Sequence, residues 1–396
     1  MFLSFTNDIE ENIMTTNSEQ WKENLLMKTD HEPRATDCFL NTNIRRCDII
    51  TVTFHDNLNG CPFFFHKCLG WDVGTVKGNV KAWDVSYSAG EHHIHIGAYG
   101  GINGAIACEY LFCNCTNLQE VNFNSCFHTS ACTSMGRMFL GCSNLRSIDL
   151  SELDTSNVSY TNSMFMFCSN LIDLNLSGWD TSNLTNMCCM FYECTNLLSL
   201  DLSTWNTSNV VSPFRMFKGC CSLRSLNLAG WNSSNFTDTD AMFFQCYSLD
   251  SLDFSNWNTS KITDMSLMFA ECYNLRSLDL SGWDTSSVTS MDCMFRDCSK
   301  LRSFDLSSWN TSSVTSMQGM FNLCSKLQSL DLSGWDTSKV TSMMEMFKGC
   351  SRLQSLDLSH FDRSANPDTS EMFDGCTSLK NDPWSGMTDF SNVFKT

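Results

Sequence analysis

The sequence predicts an α/β solenoid of 26-residue coils, with a parallel β-sheet along one face, short helices along the other, and a small β-rich cap at the N-terminal end. Three observations carry that prediction. First, one phrase recurs every 26 residues: a Met–Phe pair stands at 138/139, 164/165, 190/191, 216/217, 242/243, 268/269, 294/295, 320/321, 346/347 and 372/373. A Cys follows four residues after each Met, from Cys142 to Cys376, and a Leu follows seven after it, from Leu145 to Leu379. Second, each copy contains an alternating stretch such as Leu278-Asp-Leu280-Ser, which places Leu inward and Asp/Ser outward on a short strand. Third, Val288, Met291, Met294, Phe295, Cys298 and Leu301 recur at the three-and-four spacing of a helical stripe. A short helix is therefore expected over Ser290–Cys298, preceded by a two-residue strand at Val288-Thr289. One coil alone leaves its apolar stripe exposed, so stacking on neighbours is obligatory.

Taken in order, residues 1–46 are polar and aperiodic and read as a flexible leader, with a lone helix around Glu19–Met27. Residues 47–107 read as the β-rich cap. Asp48-Ile-Ile-Thr-Val-Thr-Phe54 alternates, Asn57-Leu-Asn-Gly60 supplies a turn, and Pro62–Phe65, Val80–Trp83 and His93–Ile96 are further short strands. The solenoid spans 108–380 in about eleven coils. It enters imperfectly: Leu111, Phe112, Cys115, Leu118, Val121 and Phe123 sit one residue out of phase, which places an extra residue after Phe123. At the far end Pro367, Thr369 and Asp382-Pro383-Trp384 break the pattern, so 381–396 reads as a C-terminal cap.

The formal net charge of −18 argues against nucleic acid and anionic membrane surfaces as partners, because both call for clustered Lys/Arg. No apolar run approaches the length of a membrane span. The N-terminus lacks a basic start followed by an apolar run, so no secretory signal is expected. Of 23 cysteines, ten share one column beside Phe and Leu, where a small buried hydrophobe is the better reading. Strands about 4.8 Å apart would also allow cross-coil disulfides in an oxidising compartment.

The phrase Leu-Asp-Leu-Ser-x-Trp-Asp-Thr-Ser-x-Val-Thr-x-Met-x-x-Met-Phe-x-x-Cys-x-x-Leu resembles that of the BspA-like leucine-rich-repeat surface proteins, including the mycoplasma lipoprotein-associated type, over about residues 108–380. Gly70-Trp71 and Ile94-His-Ile96-Gly97 are similar to the module that precedes such repeats. The resemblance implies leucine-rich-repeat-like coils, a role in surface adhesion or protein recognition, and no catalytic residues.

Four features are candidate sites. Asp201, Asp253, Asp279, Asp305, Asp331 and Asp357 form an outward column, broken by Asn175 and Asn227. Its bland reading is a solvated face partly neutralised by Arg276 and Arg302. Its functional reading is a recognition face for a basic protein, or for Ca²⁺ held by carboxylate oxygens. Seven Trp from Trp179 to Trp335 form a second column, best read as core because Leu153 and Phe361 replace Trp elsewhere. A third column interchanges Asp and Asn (Asp154, Asp180, Asn206, Asn232, Asn258, Asp284, Asn310, Asp336), as turn-closing side chains do. Finally, His93 and His95 share a strand face and, with His55 or His66, could hold a transition metal. The expected function is a non-enzymatic scaffold that presents its acidic Ser/Asp face to a basic or extracellular protein at a cell or particle surface. An intracellular interaction scaffold, and an enzyme with its chemistry in the N-terminal module, are the alternatives.

Overall fold

The computed structural model describes residues 34, 37, 39–40, 42–58, 63–64, 67–68, 71–72, 80–85, 91–98, 100–104, 106–303, 305–380 and 383–384. The expected helix at 19–27 and most of the C-terminal cap lie outside the described residues.

The cap is a mixed sheet. Its strands are β1 (Ile49–His55), β4 (Trp71–Asp72), β5 (Lys81–Asp84) and β6 (His92–Gly97); β2 (Phe63–Phe64) and β3 (Lys67–Cys68) form a separate antiparallel pair. β7 (Ile102–Asn103) pairs in parallel with β9 (Phe127–His128). The order β4-β5-β6-β1-β8 ends on β8 (Glu120–Asn122), which lies in the first coil, so the cap sheet runs directly into the solenoid. β1 is parallel to both β6 and β8, and Val52 and Phe54 align with Ile94 and Ile96, all four fully buried. Among the described residues the packed core begins at Phe39, inside the segment expected to be leader. Its ring lies 6.1 Å from Phe112, and buried Arg46 donates from Nη1 to the carbonyls of Tyr110, Leu111 and Cys113 at 3.0–3.2 Å.

The extra residue of the first coil falls between Phe123 and Phe127. Asn124 and Ser125 both adopt left-handed backbone there (φ 50° and 52°), and Phe127 resumes the buried column continued by Leu153.

The expected short helices do not form. In the coil at 291–301, Met294, Arg296, Cys298 and Leu301 donate to carbonyls three residues back, at 3.0–3.2 Å, in successive tight turns. Between them Cys293 and Asp297 take left-handed φ of 55° and 57°, which no continuous helix tolerates. The amides a helix would bond internally instead point along the rod: Met291, Cys293, Phe295 and Asp297 donate to Ser316, Gln318, Met320 and Asn322 of the next coil at 2.6–3.1 Å. The pattern repeats, with left-handed residues just before the Met–Phe pair from Arg137 to Glu371. Three-residue turns bring side chains back to one side at the same spacing as a helix, which is why the sequence pattern did not separate the two.

The strand face is also less regular than expected. β10 (Ser147–Asp149) pairs with β11 (Asp173–Asn175), and β12 (Ser199–Asp201) with β13 (Ser225–Asn227), all parallel. Farther on, the described residues keep a bridge between Ser329 and Ser355. A longer column of parallel bridges runs at the turn face, from Ala107 through Ser134, Tyr160 and Asn186 to Ser212, and from Asp238 through Asp264, Ser290, Ser316 and Ser342 to Asp368.

Equivalent side chains nonetheless stack. Phenylalanine rings from Phe112 to Phe373 form one column with centroids 5.1–5.9 Å apart. Leu278 and Leu330 are interior, as the alternation requires; Phe304 between them lies outside the described residues. The cysteine column is free and buried, and each thiol from Cys142 to Cys376 donates to the carbonyl of a Phe 29 residues back (30 for Cys142, across the extra residue), at 3.0–3.2 Å. The cross-coil disulfides that the strand spacing would allow are not formed by the column cysteines of the described residues. The thiol is small enough for the core and supplies the donor that the Phe carbonyl needs.

Candidate functional site: the carboxylate column

Asp201, Asp253, Asp279, Asp305, Asp331 and Asp357 are all exposed at the end of the inward–outward alternation. Each also closes a turn: the amides of Ser203, Ser255, Ser281, Ser307, Ser333 and Ser359 donate to the respective Oδ1 at 2.9–3.2 Å. Asn175 accepts the same bond from Ser177 at 3.0 Å, and Asn227 from Ala229 at 3.2 Å, which explains the Asp/Asn interchange. The column thus has a folding role that the sequence reading did not assign. Hydrogen bonds from the Ser two residues on hold each carboxyl below its ordinary value. For Asp279 the neighbouring Asp305 and Asp253 push the other way, but more weakly, so the column stays ionised. Oδ1 of each carboxylate serves the turn, which leaves Oδ2 outside it.

Arg276 and Arg302 do not neutralise this column. Neither forms an ion pair among the described residues; both line an open groove with Lys300 and Lys326 instead. The sequence signal for that grouping is the recurrence of like charges at 26-residue spacing, which meet only across coils.

The Trp column is core. Trp179 to Trp335 are 1–6% exposed, and the indoles of Trp179–Trp205 and of Trp231 through Trp335 stack nearly parallel, 5.8–6.3 Å apart. Trp179, Trp231, Trp309 and Trp335 donate from Nε1 to Leu carbonyls of the previous coil at 3.0–3.3 Å. At Phe254, which replaces a Leu, the ring meets Trp257 and Trp283 edge-on, and the buried Nε1 of both indoles lacks a partner. The Asp/Asn column closes turns as expected, for example with the Ser286 amide on Asp284 Oδ1 at 3.0 Å. The buried Thr beside it ties coils together: Thr285 Oγ1 donates to the Asn310 carbonyl at 2.9 Å.

In the cap, His55 Nε2 and His95 Nδ1 lie 2.9 Å apart, and His95 stacks on Trp83 at 5.7 Å. His93 Nδ1 pairs with Thr51 Oγ1 at 3.0 Å, and His92 with Asp84 at 2.7 Å. Burial lowers the pKa of both His55 and His95, and His55 adds to the lowering at His95. The side chain of His66 lies outside the described residues. Among the described residues no group of three or more His, Cys, Asp or Glu converges as a metal site. No helix among the described residues is long and apolar enough to cross a membrane.

Comparison with known proteins gives one family match, to the Mycoplasma proteins of unknown function DUF285, over residues 106–227, 212–307 and 298–396. No curated protein matches. Among solved structures, a leucine-rich cell surface protein from Faecalibacterium prausnitzii is 18% identical, with 78% of this chain and 90% of that one covered and a TM-score of 0.34. A Leptospira interrogans leucine-rich-repeat protein is 15% identical (69% and 72% covered, TM-score 0.25). The Drosophila Toll–Spatzle complex is 17% identical (66% and 37% covered, TM-score 0.27), so this chain spans little more than a third of that one.

Proposed function

The chain belongs to the DUF285 family of Mycoplasma proteins and repeats a BspA-like leucine-rich phrase, and from that premise we propose a protein-interaction scaffold whose carboxylate column engages a basic partner at a cell surface. The observation that carries this reading is the exposed row from Asp201 to Asp357, in which each carboxylate keeps one oxygen outside its turn. A partner bearing Lys or Arg at the coil spacing meets several ionised groups at once, which favours fast, salt-sensitive association.

The test is a titration of the intact chain with a lysine-rich peptide, repeated with the triple variant Asp279→Asn/Asp305→Asn/Asp331→Asn. Asn preserves the turns, as it does at Asn175 and Asn227, so the fold is kept while the charge is lost. Binding weakened by about tenfold or more supports the reading; equal binding by both proteins rejects it. The same pair tests Ca²⁺, which must raise the melting temperature of the parent and not of the variant if the column holds it. Surface placement is tested by labelling intact cells with an impermeant amine reagent; a chain labelled only after lysis is instead an intracellular scaffold.

A further inference from the structure

Four cations of this acidic chain are gathered where three successive coils meet. Lys300 and Lys326 occupy one column, and Arg276 and Arg302 the column two residues on. Leu275, Leu301 and Leu327 between those columns are fully buried, so the flanking side chains of each coil project outward together. The four cations line an open cavity of about 410 Å³, with no carboxylate among its described lining residues.

Their partners elsewhere are few. None of the four forms an ion pair among the described residues, although Asp279 and Asp305 stand three residues beyond the two arginines. Lys300 Nζ donates to Asn274 Oδ1, which fixes one edge of the groove. Earlier coils fill the first of these columns with a neutral ladder: Asn144, Asn170 and Asn196 each donate Nδ2 to the Oδ1 of the Asn one coil back, at 3.0–3.3 Å. Cations replace amides here, in a chain with 43 acidic side chains against 25 basic ones. Like charges held together without counter-charge repel, and the attraction they lack must come from solution.

We propose that this groove binds an oxyanion carrying at least two negative charges, of the phosphate or sulfate class. Guanidinium groups one coil apart offer forked donors to two oxyanion groups, while the lysines add point charges beside them. Such groups occur either on a small free diphosphate or on neighbouring sugars of a sulfated glycan. This site is separate from the carboxylate column and does not depend on its partner.

Calorimetric titration of the full chain with inorganic pyrophosphate, and separately with a sulfated tetrasaccharide, at about 0.15 M salt tests the proposal. Four proteins are compared: the parent, Arg276→Gln/Arg302→Gln, Lys300→Gln/Lys326→Gln, and a control, Lys261→Gln/Lys339→Gln, that removes the same charge outside the groove. The expected result is saturable binding of at least one probe, weakened about tenfold or more by each groove pair and unchanged by the control, with thermal melts verifying that all four fold. Stronger binding of pyrophosphate assigns the site to a small anion, and stronger binding of the saccharide assigns it to a glycan. No binding of either probe, or equal losses in control and groove variants, overturns the proposal.

Discussion

The turn face and the strand face of each coil are filled with the same kind of apolar side chains, yet their backbones are tied differently. At the turn face, amides such as Phe295 and Asp297 donate to the next coil, parallel bridges run through most of the rod, and the phenylalanine stack continues from Phe112 to Phe373. At the strand face, Leu200, Leu278 and Leu356 are also buried, but beyond the first coil the described residues form paired strands only as β10–β11 and β12–β13. Axial continuity therefore resides in the turns. The strand face, relieved of that duty, changes character along one exposed column: Arg146, Ile172, Leu198, Arg224, Asp250, Arg276. A surface that varies on a constant scaffold is where recognition is expected.

The comparison is broken or sharpened first by truncating each face. Phe243→Ala removes a ring stacked between Phe217 and Phe269 at 5.7 and 5.6 Å. It should cost about 3–5 kcal/mol in urea unfolding, whereas Leu278→Ala should fall near 2 kcal/mol, the low end for such changes. Equal costs would remove the distinction between the faces. Next, Cys246→Ala deletes the thiol donor to the Phe217 carbonyl and leaves a small void, for an expected loss of about 1–2 kcal/mol. The parent's column should resist a thiol reagent until unfolded, because burial raises these pKa values, to about 12 at Cys272. Smaller still is the turn role of the acidic column: Asp279→Ala should lower the melting temperature, and Asp279→Asn should leave it unchanged.

The cap supplies the last prediction. Burial holds the pKa of His55 and His95 below the ordinary value of about 6.5, so the unfolded chain takes up protons first as pH falls. Their contribution is complete above about pH 6.5 and is lost as pH drops through the lowered values. Asp56 opposes the shift at His55, and Asp84 opposes it at His95. A melt at about pH 5 should lie below one at about pH 7.5, with His95→Gln reducing the difference; a pH-independent melt contradicts this. Protonation of the carboxylate column acts separately, below about pH 4.

Much of this architecture was legible in the residues. The repeat period located the Phe, Cys and Trp columns, and the replacement of Trp by Leu153 and Phe361 identified that column as core. The turn face was not legible as turns, because three-residue turns and a helix return side chains to one side at the same spacing, and only the backbone angles at residues such as Cys293 and Asp297 separate them. The double role of Asp279 was hidden for a related reason: its exposure is set by the alternation, whereas its bond to the Ser281 amide depends on how the chain turns afterwards. The cationic groove required positions from three coils to be seen side by side.

Hydrogen exchange resolved coil by coil tests most directly whether the turns hold the rod together. The account predicts that the Phe295, Phe321 and Phe347 amides, each bonded to the next coil at 2.9–3.0 Å, outlast those at 277–281 and 329–333. Equal protection on the two faces, or slower exchange along the strands, would contradict it.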